Sequence, residues 1–111
     1  MNKLRRTFLL IIGVAIPLAC HAMQDWNAKT VLMLSSTYDG ADCIYFTLDG
    51  VPEADPIKSG DPTFAIPRSQ YGSRDAYAML LSAKLADKPV RVTTRGTLAC
   101  GYAAVAQIMM Q

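Results

Sequence analysis

The chain has 111 residues, 51% of them hydrophobic and 18% charged, and a formal net charge of +2. Three of its 11 basic residues, Lys3, Arg5 and Arg6, fall in the first six positions, so residues 23–111 carry eight basic groups against nine acidic ones, a net charge near −1. A nearly neutral domain lacks the electrostatic footprint that nucleic acid or an anionic membrane surface requires.

Residues 1–22 read as a Sec signal peptide. The basic start is followed by the apolar run Phe8 to Ala19, and Cys20-His21-Ala22 places small residues at the two positions a signal peptidase inspects. An apolar run of about a dozen residues is shorter than the ~20 a membrane-spanning helix needs. Leu18-Ala19-Cys20 would also suit a lipoprotein cleavage box, but Pro17 stands where a leucine is wanted. The expectation is cleavage before Met23, a secreted or periplasmic protein, and no membrane insertion afterwards. Removing 22 of 111 residues leaves 89, one domain with a core only just large enough to stabilise it.

Two cysteines remain in that domain, Cys43 and Cys100. In an oxidising compartment paired thiols become disulfides, and no C-x-x-C spacing suggests a redox or metal pair, so the two are expected to be bonded. In the chain-entropy argument a loop of that span contributes on the order of 4 kcal/mol, a large share of what so small a domain can muster.

In chain order, Lys29 to Ser35 is β-branched and apolar and predicts a strand, as does the aromatic run Cys43-Ile-Tyr-Phe-Thr-Leu48. Between them Ser36 to Asp42, with Asp39-Gly40 at its tip, predicts a turn, and the pair reads as a hairpin. Val51 to Pro62 reads as a polar, proline-rich loop holding Glu53, Asp55 and Asp61, a cluster expected to be a solvated surface. Phe64-Ala-Ile66 predicts a short strand closed by Pro67.

A helix follows from Ser73. Ser73 suits an N-cap, Asp75 lies in the first turn where a carboxylate favours the positive end of the dipole, and Lys84 and Lys88 lie toward the other end. On a 3.6-residue wheel Ala76, Leu80 and Ala83 share one face with Tyr77 beside them. Met79 and Ala86 on one flank, and Leu81 and Leu85 on another, carry apolar surface around most of the circumference. Such a helix is expected to be covered on more than one side. Pro89 stops it and starts the strand Val90-Arg-Val-Thr93; Thr94-Arg-Gly-Thr97 is expected to turn, with Gly96 at positive φ, and a last strand to run from Leu98 through Cys100 and Tyr102 to Met109.

The fold class is therefore mainly β with one helix. A five-stranded, partly open barrel with its helix between the third and fourth strands is the OB-fold layout, and the length suits it. An open antiparallel sheet packed on one helix is the alternative, which periodicity does not separate from it.

The run Cys43 to Gly50, the helix Ala-Tyr-Ala-Met-Leu-Leu-Ser-Ala-Lys84, the strand Lys88-Pro-Val-Arg-Val92 and the final small-residue strand together resemble the secreted B subunits of subtilase-cytotoxin and typhoid-toxin type. That resemblance implies an OB-fold, pentameric rings whose helices line the central pore, and host-glycan binding. The cysteine here precedes Ile-Tyr-Phe, whereas the toxin subunits place one after a Tyr-Phe pair. The resemblance therefore brings over the fold and the idea of a binding module, and no pocket residue.

The residues themselves limit the chemistry. The one histidine, His21, lies in the signal segment, so residues 23–111 contain no imidazole base, no Ser-His or Cys-His nucleophile pair and no histidine metal ligand. Glu53 with Asp55 or Asp61 could form an acid and base pair of glycosidase type, on a loop where a charge cluster is usually a solvated surface. The expectation is a protein that is not an enzyme and holds no cofactor or metal. The better lead is aromatic: Tyr38 in the first turn, and Arg68 with Tyr71 before the helix, are placed to meet a ligand, since aromatic faces stack on sugars and arginine holds carboxylates. The plainer reading has Tyr71 stapling the start of the helix and Tyr38 decorating a turn. A secreted module for a glycan or protein partner leads, with a homo-oligomer formed through Met79, Leu81 and Leu85; a small periplasmic structural or inhibitor protein without a ligand pocket is second.

Overall fold

The computed structural model describes residues 23–36 and 42–111. The signal segment, the tip of the first hairpin and Tyr38 lie outside the described residues. Six strands and one helix follow in order: β1 (Asp25–Lys29), β2 (Val31–Ser36), β3 (Cys43–Leu48), β4 (Phe64–Pro67), α1 (Ser73–Ala86), β5 (Val90–Ala99) and β6 (Tyr102–Met110). Mainly β with one helix is what forms. All six strands belong to one mixed sheet in the order β1-β5-β6-β4-β3-β2, antiparallel throughout except for the parallel pair β4 and β6.

Two parts of the expected architecture are corrected. The sheet has six strands rather than five and is not closed into a barrel, since β1 and β2 are its edges. It is also not wholly antiparallel, because α1 leads from β4 to β5, two strands away, and the β5–β6 hairpin then brings β6 in between, parallel to β4. The extra strand comes from a break that composition does not reveal. Ala28 takes a left-handed backbone (φ 53°), the β1–β5 register slips between Trp26 and Lys29, and Thr30 alone separates β1 from β2. What read as one strand start is two segments pairing at opposite edges. Gln111 fixes the break, its side chain accepting from the Ala28 N–H (2.7 Å) and donating to the Asn27 side chain (2.6 Å).

A further correction concerns β5. The segment Thr94 to Thr97 does not turn; the strand runs on to Ala99, and Gly96 (φ 74°) sits in a bulge where the β5–β6 register skips between Thr94 and Leu98. A positive φ at glycine absorbs extra residues without ending the pairing. The reversal falls instead at Cys100 (φ 50°) and Gly101 (φ 79°), a two-residue connection between the paired Ala99 and Tyr102. Positive φ at both central positions is the hairpin geometry whose twist matches that of the flanking strands.

The helix forms where its pattern placed it, with different ends. Gly72, left-handed at φ 86°, is the N-cap, and Ser73 instead donates its hydroxyl to the Arg68 carbonyl (2.8 Å). At the other end Asp87 is left-handed (φ 52°), and the Lys88 N–H reaches back to the Ala83 carbonyl (2.9 Å), so the helix is over before Pro89. Leu80 and Ala83 are fully buried, with Ala76 and Tyr77 packed beside them. They meet a core of alternate strand residues: Ile44, Phe46 and Leu48 from β3, Phe64 and Ile66 from β4, Val90 and Val92 from β5. The Phe46 and Phe64 rings stack 4.9 Å apart at 8°. Burying each such ring contributes about 2–3 kcal/mol. The expectation that α1 is covered on more than one side fails within the chain, where Leu85 is 80% exposed and Leu81 38%.

The loop from Val51 to Pro62 is packed at Val51, Ala54 and Asp55 and exposed at Pro52, Pro56, Ile57, Ser59 and Gly60. Asp55 is buried to 1% exposure. Its carboxylate accepts the Ile57 N–H (2.9 Å) and the hydroxyl of Thr94, which in turn accepts the Gln24 N–H (3.0 Å). Trp26 donates its indole N–H to the Ala54 carbonyl (2.8 Å), so β1 and β5 hold this loop over the core. Glu53 accepts the Gly60 N–H and Asp61 the Thr63 N–H. Carboxylates that looked like surface charge are spent on loop backbone. No helix among the described residues is long and apolar enough to cross a membrane.

Candidate functional site

In β3 the buried alternation Ile44, Phe46, Leu48 sends Cys43, Tyr45 and Thr47 to the opposite face of the sheet. Cys43 is bonded there to Cys100, Cα atoms 6.6 Å apart across 57 positions, as the sequence predicts. The disulfide pins the β5–β6 turn to β3. Two residues beyond each cysteine stands a tyrosine, and Tyr45 and Tyr102 meet edge to face, ring centroids 5.4 Å apart and planes at 79°. β4 lies between them and turns Pro67 and Ala65 to this face, Pro67 opposite Cys43, and Ala65 opposite Tyr45 and beside Ala104. A larger residue there would occupy the space the rings use.

Around the pair, Ser35 faces Tyr45 across the β2–β3 ladder. Met33, Ser35 and Thr63 complete with the two tyrosines an open depression of about 360 Å³. Lys58 backs it from the loop. Its ammonium lies 3.9 Å from the Tyr102 ring centroid, donates to the Gly101 carbonyl (2.7 Å) and pairs with Asp61 (3.3 Å). Partial burial works against the Asp61 anion, but the Thr63 bonds and Lys58 outweigh it and hold this carboxyl below its ordinary 3.8. The loop thus fixes one face of Tyr102, and the disulfide fixes its backbone.

Aromatic carbon, two phenols and two aliphatic hydroxyls in a shallow, uncharged-floor depression suit a ligand with alternating C–H and O–H surface. Among the described residues no group of three His, Cys, Asp or Glu side chains is placed to hold a metal ion.

The residues singled out from sequence lie elsewhere. Arg68 and Tyr71 border one shallow depression at the start of α1 with Gln70, Arg74 and Asp75. Arg68 is engaged with Asp42 (2.9 Å), whose carbonyl also accepts the Arg68 N–H (3.0 Å). Tyr71 is completely exposed, so it does not staple the start of the helix. Met79 lines a groove between α1 and Val105 to Ile108 of β6. Leu81 and Leu85 flank Lys84, whose ammonium donates to the Leu32 carbonyl of β2 (3.0 Å). The three apolar residues therefore occupy two flanks of the helix rather than one patch.

Sequence reasoning missed Tyr45 and Tyr102. The signal was present as a repeated Cys-x-Tyr, at Cys43-Ile-Tyr45 and Cys100-Gly-Tyr102. Given the disulfide, equal spacing on two strands puts the aromatic pair next to the sulfur pair. No protein-family model matches the chain, and no curated protein does.

Proposed function

We propose that the chain is an exported, non-catalytic binding module that takes a glycan on the Tyr45–Tyr102 face. The observation that carries this reading is the tyrosine pair itself, held by the neighbouring disulfide and bordered by Ser35 and Thr63. Preorganised aromatic groups bind with little ordering cost, and their hydroxyls give orientation. The disulfide is compatible with an extracellular or periplasmic setting.

The toxin B subunits named above remain the layout this reading follows. An OB-like reading is supported by the helix between β4 and β5, by the parallel pair β4 and β6, and by β1 and β2 being near-continuous segments at opposite edges. Assembly into a homo-oligomer is part of the proposal, because Leu81 and Leu85 are left uncovered by the Val51–Pro62 loop, which packs against Trp26 and Thr94 instead. A glycan array probed with residues 23–111, and again with Tyr102→Ala, tests the binding reading. Sugar-dependent signal that the variant loses supports it; no signal on any glycan, or signal the variant keeps, refutes it.

A further inference from the structure

The tyrosine depression does not end at Met33 and Thr63. A second depression, of about 470 Å³, is lined by Leu32, Thr47, Gly50, Val51, Pro52 and Pro62 among others. The two have no lining residue in common, but their linings adjoin at three places. Leu32 and Met33 are chain neighbours turned outward together by a bulge, where the β2–β3 register slips between Val31 and Met33; they are 60% and 42% exposed. Pro62 and Thr63 are also neighbours, one in each depression. Thr47 pairs with Met33 across the ladder and shares a face with Tyr45. One trough therefore runs from hydroxyl-bearing aromatic residues to an aliphatic, proline-walled end.

The chemistry changes along it. The far end carries no charged and no aromatic side chain, and Thr47 supplies its only side-chain hydroxyl. A peptide laid there would bring backbone amides for which these side chains, Thr47 apart, offer no partner. A saturated hydrocarbon leaves none. Resting on the glycan reading, we infer that the trough accepts a sugar carrying an aliphatic aglycone, as in a glycolipid, with the sugar on Tyr45 and Tyr102 and the alkyl chain along Leu32, Pro52 and Pro62. The bulge at Leu32 is the local device that extends the site, since a regular ladder would turn Leu32 and Met33 to opposite faces.

The test is calorimetry on residues 23–111 with the methyl and n-octyl glycosides of the sugar that gives the strongest array signal, both below the micellar concentration. The octyl glycoside should bind at least about tenfold more tightly, since seven further methylenes meet apolar surface. Leu32→Gln, at an exposed position, should remove that advantage and leave the methyl glycoside unchanged. Tyr102→Ala should weaken both. Equal affinity for the two glycosides overturns the aliphatic subsite while leaving the glycan reading standing, as does an octyl advantage that Leu32→Gln does not touch. Binding of neither glycoside overturns both. Octyl-dependent binding that survives Tyr102→Ala, or that tracks self-association in light scattering, also refutes the inference.

Discussion

The hydroxyl of Thr94 donates to the carboxylate of Asp55, 39 positions earlier, inside the domain. Both residues are essentially inaccessible to solvent. A buried carboxylate without its donors costs several kcal/mol, so this bond and the Ile57 N–H decide whether the Val51–Pro62 loop closes over the core. Thr94→Val should destabilise the domain by about 2–3 kcal/mol, and Thr94→Ser by clearly less. Urea denaturation checks this; a Thr94→Val midpoint equal to that of the wild type contradicts it.

The Cys43–Cys100 bond should be complete in the folded protein. Thiol labelling of the unfolded, unreduced chain should find nothing, and stoichiometric labelling would contradict the pairing. Replacing both cysteines by alanine should cost about 4 kcal/mol, from the 57-residue separation in the chain-entropy argument.

How much of this was legible depended on how local the cause was. The helix was, because the stripe Ala76, Leu80, Ala83 repeats within three turns and needs no partner to be recognised. The disulfide followed from compartment and count. Gly96 was misplaced because its positive φ serves a turn and a bulge equally well, and only the β6 partner decides between them. Cys100 hid the true turn, since a non-glycine residue at positive φ is uncommon. Asp55 read as solvent-facing because its partner Thr94 lies on another strand. Tyr45 and Tyr102 lie further apart still, by the same 57 positions as the two cysteines, so the candidate site was invisible to periodicity and implicit only in the Cys-x-Tyr repeat.

Acid should loosen two outer tethers. The Asp25 carboxyl is held below its ordinary 3.8 chiefly by the Arg91 hydrogen bond, and Asp61 is also held below that value. A depressed folded pKa contributes stability that is present above the unfolded value and is lost as pH falls through the folded one. Both contributions should therefore be intact at neutral pH and decline below 3.8. Denaturation midpoints measured from pH 6 to pH 2 should fall more steeply at the acid end for the wild type than for Asp61→Asn. Parallel curves would contradict the assignment.

The exposed flank of α1 gives a prediction for assembly. With Leu85 at 80% exposure, Leu85→Glu has no core contact to lose and should leave the circular dichroism spectrum and melting temperature near those of the wild type. If the flank is an interface, the variant should run at a lower mass in light scattering at tens of micromolar. A wild-type monomer under those conditions contradicts the oligomer.

The tyrosine pair carries the functional account, and Tyr102 is its most exposed test. Tyr102→Ala removes one ring and the seat of Lys58 while leaving the backbone bonds of the hairpin in place. The decisive measurement is the affinity of residues 23–111 for the array-selected methyl glycoside, compared with that of Tyr102→Ala, with near-UV and far-UV circular dichroism on both. The account predicts at least a tenfold loss of affinity with the far-UV spectrum retained. Affinity unchanged in a folded variant would contradict it.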